Sequence, residues 1–338
     1  MSRFTDVTSH YRELKIGLIG DFCLDRYFEI DPRMDELSIE TGLPVHRVIR
    51  TRCQAGGAGT VLNNLIALGV QCYPIGVCGE DGEGWELQRA IRKTGANMEG
   101  WQQNTTVRTF TYNKPLVMHP DRPPEELNRI DIKNRTDTPE TVRQQILSHF
   151  QKIAPTLHFC ILMEQVDTPN KGVFSPDLVA KIAQTCAQND LPCIADSRLG
   201  LDNFPAPIIL KMNRHELNLL QAEQNLPLEK QMLTLATKRQ QTIFVTMAEN
   251  GICVATPGQE FYQIPAVLLP GDIDVVGAGD SVTANLAAAL ASGATLPEAM
   301  QLAMAAGAII VHKLGTTGTA SVPELATIIQ QQSSKLWK

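Results

Sequence analysis

Asp274-Val-Val-Gly-Ala-Gly-Asp280 runs directly into Ser281-Val-Thr-Ala-Asn-Leu-Ala-Ala-Ala-Leu, a turn of small residues opening a small-residue helix. Gly277, Ala278 and Gly279 leave the backbone N–H groups of a helix start uncovered. Those orphan donors and the macrodipole both favour an anion. Asp280, placed at that same helix start, would oppose a phosphate unless it handles the proton of a neighbouring hydroxyl. An anion hole beside one carboxylate is equipment for moving a phosphoryl group onto an alcohol. A side-chain pKa near 4 suffices when the proton leaves late in a loose transition state. These residues alone leave a second reading open, in which the glycines make a plain turn and Asp280 only complements the helix dipole.

Working outward, Lys15-Ile-Gly-Leu-Ile-Gly20 reads as a buried parallel strand. Further strands are predicted at 71–77, 157–163, 191–196, 207–212, 242–247 and 251–256. Helices are predicted at 56–69, 82–95, 139–153, 176–189, 213–221, 228–239, 278–292 and 296–313. Strands alternating with helices imply an α/β fold with a parallel sheet covered on both faces. Residues 26–52 are broken by Pro and Gly, and 105–118 alternates as a hairpin arm before the Pro-rich loop His119–Pro124. We therefore expect a single domain spanning 1–338, with an inserted β subdomain built from about 26–52 and 100–132.

Composition narrows the function. The 338 residues carry 30 Lys+Arg against 36 Asp+Glu, a net charge of −6, which is no footprint for nucleic-acid binding. Hydrophobic residues at 43% and charged residues at 20% suit a soluble globular protein. The longest apolar run, Ala303–Val311, is too short for a membrane span. With no apolar leader at the N-terminus, the expectation is a cytoplasmic chain. The eight cysteines include no C-x-x-C pair and read as reduced, mostly buried thiols. No H-E-x-x-H occurs among the seven histidines, which argues against a zinc enzyme.

Asp-x-x-Gly-Ala-Gly-Asp before a small-residue helix resembles the signature of the ribokinase-like (PfkB) sugar kinases, and further motifs fall in family order along the chain. Gly20-Asp21-Phe-Cys-Leu-Asp25-Arg-Tyr27 resembles the first strand and its sugar-binding acid. Ala55-Gly56-Gly57-Ala58 resembles the N-terminal signature, and Asn213-Arg-His-Glu216 the N-x-x-E motif. Val245-Thr246, with Gly251 beyond, resembles the nucleotide-side loop. Within the family the likeness is greatest to D-glycero-β-D-manno-heptose-7-phosphate kinases, through Gly-Asp-x-x-Leu-Asp-Arg-Tyr, Lys171-Gly-Val173 and Lys313-Leu-Gly-Thr316.

The resemblance implies a three-layer α/β/α sandwich, with a central mostly parallel sheet and a β lid that folds over the sugar. It implies an ATP-dependent kinase of a sugar or sugar-phosphate alcohol, with Asp280 as general base and Gly277, Ala278 and Gly279 as the anion hole. Asp25, Asp21, Gly56, Gly57 and Thr60 would meet the substrate. Arg108 and Arg47 are candidates for a phosphate already on the sugar. Asn213, Glu216, Thr246, Gly251, Lys313 and Gly315 would surround ATP, with Mg²⁺ near Glu216 and Asp274. K⁺ held by the 313–319 loop, and a homodimer formed through the lid, are further implications. Asp25 has the alternative role of a loop cap, and Asn213 with Glu216 that of a helix capping box.

Several residues depart from the family pattern. Thr60 stands where an Asn contacts the sugar, Cys23 stands two residues before Asp25, and Asn285 replaces a small residue after the base. Phe110 stands in the lid where Arg is expected, and the lid carries the 119–124 insert. These departures bear on the acceptor more than on the chemistry. The alternatives are a kinase of another alcohol, such as a fructose phosphate or nucleoside, and a catalytically weak nucleotide or sugar sensor.

Overall fold

The computed structural model describes residues 3–220, 226–258, 260–315 and 317–332. Two expectations fall partly outside them, the last residue of the 213–221 helix and Thr316 of the 313–319 loop. A nine-stranded sheet runs through the centre, in the order 261–264, 252–255, 243–246, 209–213, 193–197, 159–164, 15–20, 71–79 and 101–104. Every pairing is parallel except the two at the 252–264 edge, so that 252–255 alone runs against the other strands.

Residues along the strands alternate between the two sheet faces, as a pleated strand covered on both sides requires. Ile16, Leu18, Phe159 and Ile161 enter the core under helices 58–67, 278–291, 296–311 and 322–331. Ile19, Cys160 and Leu162 enter the opposite core, under 140–153, 176–188 and 228–239. Two helical layers thus sandwich the sheet, giving the expected α/β/α architecture. All eight cysteines are free thiols, and only Cys53 is not buried. Among the described residues no helix is long and apolar enough to cross a membrane.

A second sheet stands off the C-terminal ends of the parallel strands. It orders 130–132, 111–117, 22–30 and 48–57, with 125–126 added beside 111–117. Its strand 22–30 follows the first strand of the large sheet after a single joint residue, Asp21. That strand starts four residues earlier than the break in pattern at Arg26 implied. Residues 105–110 are not the start of a hairpin arm. Trp101–Asn104 instead pairs with 76–79 at the edge of the large sheet, and Trp101 packs edge-on against Phe22 at 5.0 Å between ring centroids. Beyond it, Thr109 bonds through both its N–H and its hydroxyl to Asp81, the cap of helix 82–92. Such side-chain bonds compete with strand pairing.

The helix expected from Gly56 begins at Ala58, because Gly56 and Gly57 remain in the lid strand. Edge strand 261–264 and helix 322–331 were not anticipated. The helix carries a reciprocal capping box between Ser321 and Glu324.

Candidate active site

Parallel strands deliver their C-terminal ends to one side of the sheet, where α/β folds bind ligands. Two cavities lie there. The first, of about 400 Å³, sits between the lid and the large sheet, lined by Asp25, Gly57, Thr60, Lys114, Arg198 and Asp280 among others. The second, of about 720 Å³, lies over the 209–213 and 243–246 strand ends and is walled by helix 296–311. They share the start of helix 278–291: Gly277 and Asp280 face the first, Ala278 and Gly279 the second.

At that helix start Gly277 has φ +82°, which a Cβ would strain. The N–H of Ala278 donates to Val275 O at 3.2 Å and leaves the anion hole. Among the described residues, Gly277 and Gly279 offer N–H groups without a protein partner. Burial pushes the Asp280 carboxyl up to about 7, with the Asp196 carboxylate adding to the rise and Lys211 and Arg198 pulling against it. Its pKa therefore lies near the pH at which a general base is most useful.

Asp25 comes from the middle of strand 22–30 and is buried on the underside of the lid sheet. Lys114, on the neighbouring strand 111–117, approaches it at 3.3 Å. A Cβ on Gly56 would collide with the Asp25 carboxylate, so glycine there gives that carboxylate its room. Gly57 has φ +58°, and a Cβ there would stand 2.7 Å from Asp21 O. Asp21 borders the cavity, but both its oxygens serve the chain. They accept N–H groups from Gln165 (2.9 Å), Val166 (3.2 Å) and Val173 (2.6 Å), so its part is to join the lid strand to two loops.

In the second cavity Val267, Leu269, Val282, Met304, Ala308 and Val311 form an apolar slot. Lys211, Asn213, Glu216, Thr246 and Gly251 stand toward the helix start. Asn213 and Glu216 are a capping box as well as cavity wall. Asn213 N–H donates to Glu216 Oε2 at 2.7 Å, and Glu216 N–H donates to Asn213 Oδ1 at 2.9 Å.

Other expected residues lie elsewhere. Arg108 is not in the acceptor cavity; it faces Asp81 at 3.4 Å and Glu83 at 3.6 Å. Arg47 pairs with Glu36 on the exposed lid tip, and Lys171 with Asp137. Lys313 is not part of the nucleotide wall, since its ammonium reaches Thr319 O and Glu324 and anchors the C-terminal helix. Asp274 accepts from Val276 N–H and Gly315 N–H and so holds its own loop together, and neither Asp274 nor Gly315 lines the two cavities. Asn285 is buried and bonds back to Ser281 O, so its departure from the family is a matter of helix packing.

Five residues of the site were not anticipated. Lys114 and Arg198 bring positive charge into the acceptor cavity, joined there by Arg129. Arg198 has no carboxylate partner among the described residues. Asp196 and Lys211 form a buried ion pair behind Gly279 at 2.6 Å. Asp196 ends a parallel strand as a ligand-side acid would, and Lys211 stands two residues before Asn213. Those were the available signals.

A helix start shared by a polar cavity under the lid and an apolar-walled cavity beside it, on an α/β/α sandwich, is the arrangement expected of a carbohydrate kinase. Residues 141–323 match the pfkB family carbohydrate kinases, and the chain belongs to that family. It is 29% identical over 324 residues to the "Bifunctional protein HldE" of Trichlorobacter lovleyi, covering 93% of this chain and 63% of that protein. The chain thus spans less than two thirds of that relative. The fold is shared with phosphofructokinase-2 from Escherichia coli in complex with substrates and products (TM-score 0.73, 18% identity, 95% of this chain and 100% of that one). It is also shared with Arabidopsis thaliana ribokinase complexed with ribose and ATP (TM-score 0.67, 17% identity, 95% and 99%).

Proposed function

We propose that this chain transfers the γ-phosphoryl group of ATP to a hydroxyl of a sugar phosphate, a heptose 7-phosphate being the leading acceptor. One observation carries the reading: Asp280 faces the acceptor cavity while Gly279, one residue earlier, faces the nucleotide cavity. An acceptor hydroxyl beside Asp280 gives it a proton, and its oxygen forms a bond to the γ-phosphorus. The bond from that phosphorus to the bridging oxygen breaks, and ADP leaves. The N–H groups of Gly277 and Gly279 meet the charge on the phosphoryl oxygens as it moves. The purine lies in the apolar slot, and the lid excludes water that would otherwise hydrolyse ATP.

The sugar is held by Asp25, with Thr60 alongside. Lys114, Arg129 and Arg198 supply the positive charge that favours an acceptor already carrying phosphate. They replace Arg108 and Arg47 in that role, and the likeness of Gly20–Tyr27 to the heptose-7-phosphate kinases points the same way. Magnesium fits the donor set. Glu216 presents one carboxylate to the nucleotide cavity and Asn213 a neighbouring amide, and Mg²⁺ needs few protein ligands because it keeps water and phosphate oxygens. When bound, it would offset the charge of the ATP phosphates. The same reading includes a cytoplasmic setting, a K⁺ requirement and a homodimer formed through the lid.

ADP release by purified protein tests this, with Mg-ATP, with and without K⁺, across ribose, fructose, fructose phosphates, nucleosides and heptose 7-phosphate. We expect release to depend on a phosphorylated acceptor and to vanish in Asp280→Asn. Equal turnover with unphosphorylated sugars would remove the phosphate from the acceptor. ATP binding with silence across the panel would favour a sensor.

A further inference from the structure

We propose that Cys160, Cys186 and Cys193 form a binding site for a soft monovalent metal ion, copper(I), at the end of the large sheet away from the two cavities. The site is independent of the kinase reading, because none of the three lines either cavity.

Three separate elements bring the sulfurs together. Cys160 is the second residue of strand 159–164 and Cys193 the first of strand 193–197, and the two are partners in parallel register. Cys186 reaches them from the last turn of helix 176–188, within the same core. The three Sγ atoms all lie within 4.8 Å of one another, and no one of these residues is more than 3% exposed. Among the described residues, no histidine, carboxylate or fourth cysteine joins the group.

That donor set discriminates between metals. A cation about 2.3 Å from each of three sulfurs, the usual zinc–thiolate distance, needs them about 4 Å apart. The trio would contract by less than about 1 Å to hold one. Structural zinc is four-coordinate, and this apolar core leaves it one side chain short. Copper(I) is softer, selects thiolate sulfur and is satisfied by three ligands. Charge points the same way. The Cys160 and Cys193 thiols hold the Cys186 thiol well below its usual range, against burial, while burial pushes the other two up. One thiolate beside two thiols carries a single negative charge, which a monovalent cation cancels without leaving charge in the core.

Packing does not call for three cysteines in one place. A buried thiol serves as a small apolar side chain wherever one is needed, yet among the described residues no second group of three forms. Residues 187–190, between Cys186 and Cys193, make an exposed segment at the helix end. Local opening there would admit an ion without unfolding the sheet. Once bound, the ion would tie helix 176–188 to two strands of the sheet, so its effect is on stability.

The test titrates copper(I), without oxygen, into the reduced full chain against a chromogenic copper(I) chelator, in wild type, Cys186→Ala, Cys193→Ala and Cys53→Ser. Cys53, the one cysteine that is not buried, serves as the control. We expect wild type and Cys53→Ser to withhold one equivalent from the chelator, and Cys186→Ala and Cys193→Ala to withhold none. Copper(I) should raise Tm in the first pair and not in the second. X-ray absorption on the wild-type complex reads the ligands without any variant, and should give three sulfurs and no lighter atom. An equivalent retained by folded Cys186→Ala, fewer than three sulfurs, or wild type yielding all its copper to the chelator would each overturn the site. Displacement of the copper by equimolar zinc(II) would overturn the choice of ion.

Discussion

Asp280 is the carboxylate on which the proposed proton transfer rests. Burial and the nearby Asp196 hold its proton to about 7. Only the ionised form can accept a hydroxyl proton, so kcat/KM should rise as pH increases through about 7 and then level, because that ratio reports the free enzyme. Asp280→Asn should lower kcat by about 10²–10⁴-fold, the usual range for a lost general base, and abolish that rising limb. A variant retaining the limb would assign it to another group. The same shift has a stability consequence with a definite sign. A carboxyl whose native pKa lies above its unfolded value keeps a proton in the native state that the unfolded chain has released. Stability from this group therefore falls as pH rises from about 4 to about 7. Thermal melts should show Asp280→Asn more stable than wild type at pH 8, with the gap gone by pH 4. Asp25 differs in kind, since its partner Lys114 is within the cavity and the role proposed for it is to hold sugar. Asp25→Ala should weaken acceptor binding and leave ATP affinity unchanged, as paired titrations of the two ligands would show.

At the scale of elements, the lid and the large sheet meet at Asp21 and at the Gly56-Gly57 end of strand 48–57. Gly57 takes φ +58°, and a Cβ there would press on Asp21 O. Gly57→Ala should thus cost on the order of 1–3 kcal/mol, measured by denaturant unfolding, and weaken acceptor binding with it. Unchanged stability would mean that the joint relaxes freely. The glycine pair was legible in the sequence as a place of close backbone approach, which the structure shows against Asp25 and Asp21. Its position within a lid strand, ahead of the helix, was not, because strand pairing with Phe22–Cys23 decides it. Helices such as 140–153 and 228–239 were readable because each repeats its apolar face locally. The segment 101–110 misled because Trp101 packs on Phe22 and Thr109 binds Asp81, contacts made across the chain. The site divides in the same way. Gly277–Asp280 is contiguous and could be singled out in the sequence, although only the family resemblance chose between its two readings. Asp196 and Lys211 meet only because strands 193–197 and 209–213 are neighbours, which no spacing announces.

At the scale of the molecule, the tip of the lid sheet carries an apolar outer surface. Leu37, Ile39, Leu43, Val48 and Ile49 are exposed along its tip, where Glu36–Leu37 and Pro44–Val45 make only a two-stranded ribbon. A two-stranded ribbon has little core of its own, and apolar residues gathered on such a tip mark a surface that another protein covers. A second copy of this chain is the simplest occupant, because the patch lies on the lid that closes the acceptor cavity. Lid against lid would then hold two acceptor sites in the closed arrangement together. Light scattering on purified protein should give a mass near twice 37.1 kDa at micromolar concentration. Ile39→Asp combined with Ile49→Asp should shift that mass to the monomer while leaving the far-ultraviolet spectrum and ATP affinity unchanged, since neither residue lines the nucleotide cavity. Acceptor KM should rise in the monomer, because a lid without its partner orders Asp25 and Lys114 only when the sugar arrives, and that ordering opposes binding. A monomeric wild type would sink the lid-to-lid assembly. A monomeric variant with wild-type acceptor KM would show instead that each lid closes by itself.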